Sequence, residues 1–365
     1  MSTSLIAPRV AIPIKARKLL CLGGRTGSHC DPVLAYRGVV QFPLVNGKYQ
    51  VLGLIGQGGM ASVYRAIEVP NGRLVALKVL SGLTPSTGET IRDGEDGIAR
   101  FEREARAVET LDTEHIARIY DAGIDLHSGA RFMAIELLEG EDLQKLVDRL
   151  GRVPPALALR LVGQACVALW HAHGVGVIHR DVKPSNLFLT RAASGKLIVK
   201  VLDFGLAKML GDSRAEASPL SEPAGLTKPG ATLGTPEYMS PEQIMHPKEV
   251  DYRADVWSLG IVLYKLLTGV TPHHGYPSIG ELLVGVVTKR APLLRDIAPD
   301  VAPEVAAIAH RAIEIDPLKR YQGMQHMLRE ILERSPGGLE IDPDMVVGAP
   351  DPGPMFREAP LTERS

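Results

Sequence analysis

Strand-like apolar runs alternate with turns across 49–80, in segments at 49–55, 62–69 and 73–80. Pro70-Asn71-Gly72 separates the last two, a triplet suited to a tight turn. A stretch rich in Gly, Thr, Ser and Asp (81–97) reads as a loop, and 98–111 carries the charged, apolar-periodic pattern of a helix. Short strands are expected near 117–124 and 131–138. Beyond Gly140 the pattern turns helical. Pro154-Pro155 opens a helix on which Leu157, Leu161, Ala165 and Leu169 recur every fourth position. A second helix over 255–268 carries Trp257, Ile261, Leu263 and Leu267. Residues 1–43 show no sustained periodicity, and from Ser335 the chain is rich in Pro, Gly and acidic residues, so both ends read as disordered tails.

The order predicts an α+β molecule of two lobes: a β-rich lobe over 44–137 and a mainly helical one over 138–334, flanked by tails at 1–43 and 335–365. A chain of 365 residues has room for both cores. With 41 basic against 42 acidic residues the net charge is −1, which gives no bulk field to attract nucleic acid or anionic membrane. Cys21, Cys30 and Cys166 form no CxxC pattern, so neither a disulfide framework nor a zinc site is expected. Leu19-Leu20-Cys21-Leu22 after Lys15, Arg17 and Lys18 is too short an apolar run for a signal peptide, and no run has the length of a membrane span. A cytoplasmic setting is the expectation.

Candidate chemistry gathers in His179-Arg180-Asp181-Val182-Lys183-Pro184-Ser185-Asn186 and in Asp203-Phe204-Gly205. A carboxylate, an ammonium and an amide lie within six residues, and a second carboxylate precedes a glycine. This suits phosphoryl transfer, which asks for positioning and charge stabilisation more than covalent chemistry. Upstream, Ile55-Gly56-Gln57-Gly58-Gly59-Met60-Ala61-Ser62-Val63 lies between two strands, where glycines let backbone amides approach phosphates. A glycine-rich hairpin turn would look the same. Ala61 stands where a G-x-G-x-x-G pattern has its third glycine. Lys78, in Val75-Ala76-Leu77-Lys78, follows at hairpin distance inside an apolar strand, placing an ammonium for the α- and β-phosphates. It needs a carboxylate to hold it. Glu104 is preferred because it sits among Phe101, Ala105 and Val108, with Glu102 and Glu109 as rivals.

These ordered motifs resemble the Ser/Thr protein kinase domain of the eukaryotic-like (Hanks-type) family, bacterial in style, from about residue 46 to 332. The resemblance implies the bilobal kinase fold and the transfer of the ATP γ-phosphoryl to protein Ser or Thr. In it Asp181 would orient the substrate hydroxyl and accept its proton, and Lys183 would neutralise charge on the γ-phosphoryl. Asn186 and Asp203 would hold Mg²⁺. By position, Ile135 would be the gatekeeper, with Glu136 and Leu138 offering backbone groups to adenine. Ile55, Gly56, Gly58, Val63 and Ala76 would line the nucleotide, and Asp142 would meet the ribose unless it is plain surface charge. Lys183 and Gly234-Thr235-Pro236-Glu237-Tyr238 favour Ser/Thr over Tyr, with Thr235 shaping the acceptor pocket. Ser240-Pro241-Glu242 replaces the usual Ala-Pro-Glu, with Glu242 expected to pair with Arg320 and Asp255 to bond the catalytic-loop backbone.

Arg180 before the catalytic carboxylate is a feature of kinases switched by phosphorylation of the activation segment, where Thr227 and Thr232 are the candidate sites. The expected partners are ATP, Mg²⁺, protein substrates and a second copy of the chain for trans-autophosphorylation, with no nucleic acid. A pseudokinase scaffold usually loses residues of the Lys78, Asp181 or Asp203 type, and none is lost here. The intact motifs also argue against a small-molecule phosphotransferase of related fold. His171, His173, His273 and His274 read as loop and helix-end residues rather than metal ligands.

Overall fold

The computed structural model describes residues 44–57, 61–80, 111, 113–125, 127–204 and 236–346. The first lobe is an antiparallel sheet of β1 (Leu44–Val45), β2 (Tyr49–Gln57), β3 (Ala61–Glu68), β4 (Arg73–Leu80), β5 (Ile119–Ile124) and β6 (Arg131–Glu136), in the order β1-β2-β3-β4-β6-β5. Neighbours in sequence pair through hairpins until β4, which pairs β6 so that β5 takes the edge. One face buries Tyr49, Val51, Ala66, Val75, Leu77, Phe132 and Ala134, with the Tyr49 and Phe132 rings 5.7 Å apart. The strand alternation thus sends Leu77 into this core and its neighbour Lys78 to the opposite face. The helix expected over 98–111 lies outside the described residues except for Leu111.

A second sheet, β7 (Gly140–Asp142), β8 (Leu187–Arg191) and β9 (Leu197–Val201), carries the connection into the helical lobe. That lobe contains α1 (Leu143–Leu150), α2 (Pro155–Gly174), α3 (Pro241–Met245), α4 (Arg253–Thr268), α5 (Ile279–Thr288), α6 (Leu294–Ile297), α7 (Pro303–Ala312) and α8 (Met324–Glu333). Helix α4 is apolar on nearly every side and correspondingly buried, as the sequence pattern of 255–268 demands. It lies so close to α7 that a Cβ at Gly260 would stand 2.5 Å from the Ala312 Cβ. Gly269 ends it with φ +85° and its N–H on Lys265 O, the left-handed cap that favours glycine.

The chain stays packed beyond 334, where its composition suggested the start of a disordered tail. Arg160 Nη2 donates to Pro336 O at 2.7 Å, Gln164 Nε2 donates to Leu339 O at 2.8 Å, and Leu197 bridges Ile341. Ile341 and Val346 are buried. Among the described residues the segment forms only a 3₁₀ turn, Pro343–Val346, too short to show a periodicity. It lies along α2 and β9 and draws its partners from them. Gly163 makes room for it, since a Cβ there would meet Leu339 Cδ2 at 2.4 Å.

Candidate active site

The loop 177–186 leaves α2 and is held from below by α4. Asp255, in the first turn of α4, is fully buried; its carboxylate accepts from His179 N (2.9 Å) and Arg180 N (2.8 Å), and His173 Nε2 lies 2.7 Å away. Burial pushes that carboxyl upward, but the bond from His173 and the neighbouring donors outweigh it and hold it below the usual carboxylate range. The loop needs such anchoring because Arg180 has φ +62°, a left-handed conformation costly for a residue with a side chain.

Above this anchor the polar groups converge. Lys183 Nζ donates to Asp181 Oδ2 at 2.9 Å, and Asn186 Nδ2 donates to Asp181 O at 2.8 Å and to Oδ2 at 3.3 Å. A 3₁₀ turn at Pro184–Asn186 brings the amide back over the carboxylate, and Leu202 N donates to Asn186 O at 2.8 Å, tying the turn to the strand that leads into Asp203. His179 is fully buried; the Asp181 N–H donates to its Nδ1 at 3.2 Å, which makes Nε2 the protonated nitrogen and the donor to Leu202 O at 2.8 Å. Its ring lies 4.9 Å from that of Phe204. Its burial and these contacts make it a structural histidine.

The other half of the site comes from the first lobe. Lys78 pairs with Val63 on β3 and Met133 on β6, in the middle of the sheet, and its Nζ lies 2.8 Å from Asp203 Oδ1. One ion pair therefore joins a strand of the first lobe to the segment after β9. Asp203 also has a positive φ, +54°. Ala76 is buried opposite Ile135, and Val63 is half-buried one strand away. Ile55 is exposed, and a Cβ at Gly56 would make only ordinary contact with Val63 at 3.9 Å, so the protein itself does not require glycine there.

Two side chains have partners that the motif reading missed. The Glu136 carboxylate takes Lys200 Nζ at 2.8 Å and Arg118 N at 3.2 Å, so its acidic group belongs to a structural pair. Asp142 is the N-cap of α1: Oδ1 accepts from Lys145 N at 2.9 Å. Its position immediately before an apolar run was the available signal for a cap. Leu138 lies half-buried between β6 and β7. Gly58, Glu104, Thr227, Thr232 and Thr235 lie outside the described residues.

Behind the loop, Arg320 meets Glu242 through two bonds, of 2.7 and 2.8 Å, the pairing expected from their motifs. Arg320 is 1% exposed; it also donates to Arg253 O, Glu314 O and Ile315 O and lies over the Trp257 ring. Gln243, the residue after Glu242, donates from Nε2 to Arg180 O at 2.8 Å.

Residues 49–332 match the family described as "Protein kinase domain". Among curated proteins the chain is similar to Serine/threonine-protein kinase pkn3 of Myxococcus xanthus, 35% identical over 75% of this chain and 47% of that protein. Serine/threonine-protein kinase PknB of Mycolicibacterium smegmatis is 32% identical over 84% of this chain and 46% of its own length. The chain thus spans less than half the length of either relative. Among solved structures, the PknI kinase domain of Mycobacterium tuberculosis is similar in fold, with a TM-score of 0.59, 25% identity and coverage of 81% of this chain and 99% of that one.

Proposed function

Because this chain belongs to the protein kinase domain family, we propose that it transfers the γ-phosphoryl group of ATP to serine and threonine hydroxyls of proteins. The observation that carries this reading is the convergence of Lys183 Nζ and the Asn186 amide on the Asp181 carboxylate, with Lys78 paired to Asp203. Asp181 orients the acceptor hydroxyl and takes its proton as the oxygen attacks phosphorus. Lys183, already 2.9 Å from that carboxylate, stabilises the negative charge of the transferring group. Lys78 holds the α- and β-phosphates from its place on β4. The adenine would sit between Val63, Ala76 and the backbone of Glu136 and Leu138, with Ile55 and Gly56 beside the phosphates; Gly58, proposed for the same role, lies outside the described residues. Asp142 can meet the ribose only with the oxygen that is not capping α1.

Members of this family use ATP with a divalent cation. The donors here suit Mg²⁺: with Nδ2 of Asn186 bonded to Asp181 O, its amide oxygen remains to accompany the Asp203 carboxylate, both hard oxygen ligands. Among the described residues no cluster of three or more His, Cys, Asp or Glu is placed to hold a metal ion. Held by Asn186 and Asp203, such an ion would supply charge neutralisation on the phosphates.

Incubation with Mg²⁺, γ-labelled ATP and a general protein substrate tests the reading. Label on Ser and Thr is expected, with Asp181→Asn lowering the rate by roughly 10²–10⁴-fold. Nucleotide binding without transfer would make the chain a scaffold, and label only on small molecules would make it a different phosphotransferase. In the same experiment Thr227 and Thr232 are the proposed autophosphorylation sites, modified by a second copy of the chain, with the phosphate pairing to Arg180. Among the described residues no helix is long and apolar enough to cross a membrane.

A further inference from the structure

We propose that Gln243 is a positioning residue for phosphoryl transfer, acting by clamping the peptide group between Arg180 and Asp181; this rests on the kinase reading above. Helix α3 begins with a capping box: Gln243 N donates to Ser240 Oγ at 3.3 Å, and Ser240 N donates to Gln243 Oε1 at 3.1 Å. For that task alone glutamate serves as well, and its charge is favoured at a helix N-terminus. Glutamine adds only an NH₂ group. Here that group donates to Arg180 O at 2.8 Å, across 63 residues of sequence.

The geometry gives this one bond leverage. Asp255 restrains the two preceding peptide groups through His179 N and Arg180 N, but it does not reach the next one. The 180–181 peptide is held at its oxygen by Gln243 and at its N–H by His179 Nδ1, 3.2 Å away. A peptide group is planar, so fixing both ends fixes the direction in which the chain enters Asp181 and hence the aim of its carboxylate. Arg180 at φ +62° gives the backbone a reason to relax once that hold is lost. Through the same side chain, the Ser-Pro-Glu end of the activation segment is tied to the catalytic carboxylate.

Gln243→Glu separates this role from helix capping. It keeps the capping box but sets a carboxylate oxygen against Arg180 O, two acceptors with no proton between them. At pH 8 the expected result is a fall in kcat of roughly 10–100-fold, the scale on which small misplacements act. The KM for ATP and the melting temperature stay near those of the wild type. Toward acid pH, as the introduced glutamate protonates, the ratio of variant to wild-type kcat rises, because a protonated glutamate again donates to Arg180 O. Independently of activity, amide exchange in a peptide covering 178–184 should be faster in the variant at pH 8. Wild-type kcat in Gln243→Glu at every pH, or unchanged exchange over 178–184, overturns the proposal. So does a loss that tracks a lowered melting temperature and does not recover at low pH. A wild-type enzyme that transfers no phosphoryl overturns the kinase reading instead, while the exchange measurement still decides whether Gln243 clamps the loop.

Discussion

Around the loop 177–186, position is set by polar side chains: the buried Asp255 beneath His179 and Arg180, the half-buried Gln243 beside Arg180, and the buried Arg320 behind Glu242. On the nucleotide side, among the described residues, it is set by strand register and an apolar face, with Lys78 fixed by its place between Val63 and Met133 and by Leu77 buried next to it. Directional bonds specify the angle of a carboxylate; register specifies which residues share the face of the sheet that carries Lys78. Damage to the first region should therefore appear in kcat, and damage to the second in nucleotide affinity.

The largest expected effect breaks the polar region. Arg320→Ala strips Glu242 of its partner and abandons three backbone carbonyls, costing about 3–5 kcal/mol of stability in a denaturant titration. At temperatures where the variant remains folded, kcat should fall more than the KM for ATP rises, because Glu242 adjoins Gln243. Opposite kinetics would dissolve the distinction between the regions.

Leu77→Ala tests the apolar region. The side chain is fully buried in the first-lobe core, so its truncation should cost roughly 2–5 kcal/mol, the higher end if the sheet cannot collapse into the void. Nucleotide affinity, measured by calorimetry, should weaken while kcat at saturating ATP stays close to wild type.

A smaller effect should leave both kinetic constants alone. His310 accepts the Leu294 N–H on Nε2 at 3.0 Å, and burial lowers its pKa below that of a free histidine. The unfolded chain then binds the proton more readily than the folded one, so this group adds stability above about pH 6.5 and the contribution is lost as pH falls below that value. His273, also buried with its pKa lowered by desolvation, acts with the same sign. Melting temperature should drop between pH 7 and pH 5, and His310→Gln should flatten part of that slope.

The residues proposed to do the chemistry could be picked out in the sequence because their spacing is local. Asp181, Lys183 and Asn186 fall within one loop and its 3₁₀ turn, and Asp203 lies just beyond the end of a strand, with only Leu202 between. The strands at 49–80 and the helices from 155 and 255 were legible for the same reason, since periodicity needs only neighbouring positions. Glu136 shows where that reading stops: its carboxylate is taken up by Lys200, 64 residues away, which no spacing rule announces. Residues 335–346 show it more strongly. Their Pro- and Gly-rich composition suggested disorder, yet Leu339 is bonded by Gln164 from 175 residues away.

By itself, then, the sequence determined which chemical groups are present, the order of strands and helices, and the class of reaction those groups suit. Backbone periodicity and motif spacing are properties of a few consecutive residues. The tertiary structure decided which donors meet which acceptors: that Lys200 takes the Glu136 carboxylate, that Lys78 pairs with Asp203 across the lobes, and that the peptide leading into Asp181 is held by Gln243. Hydrogen bonds act over about 3 Å and depend on direction, so between residues far apart in sequence they exist only once packing has brought the elements together.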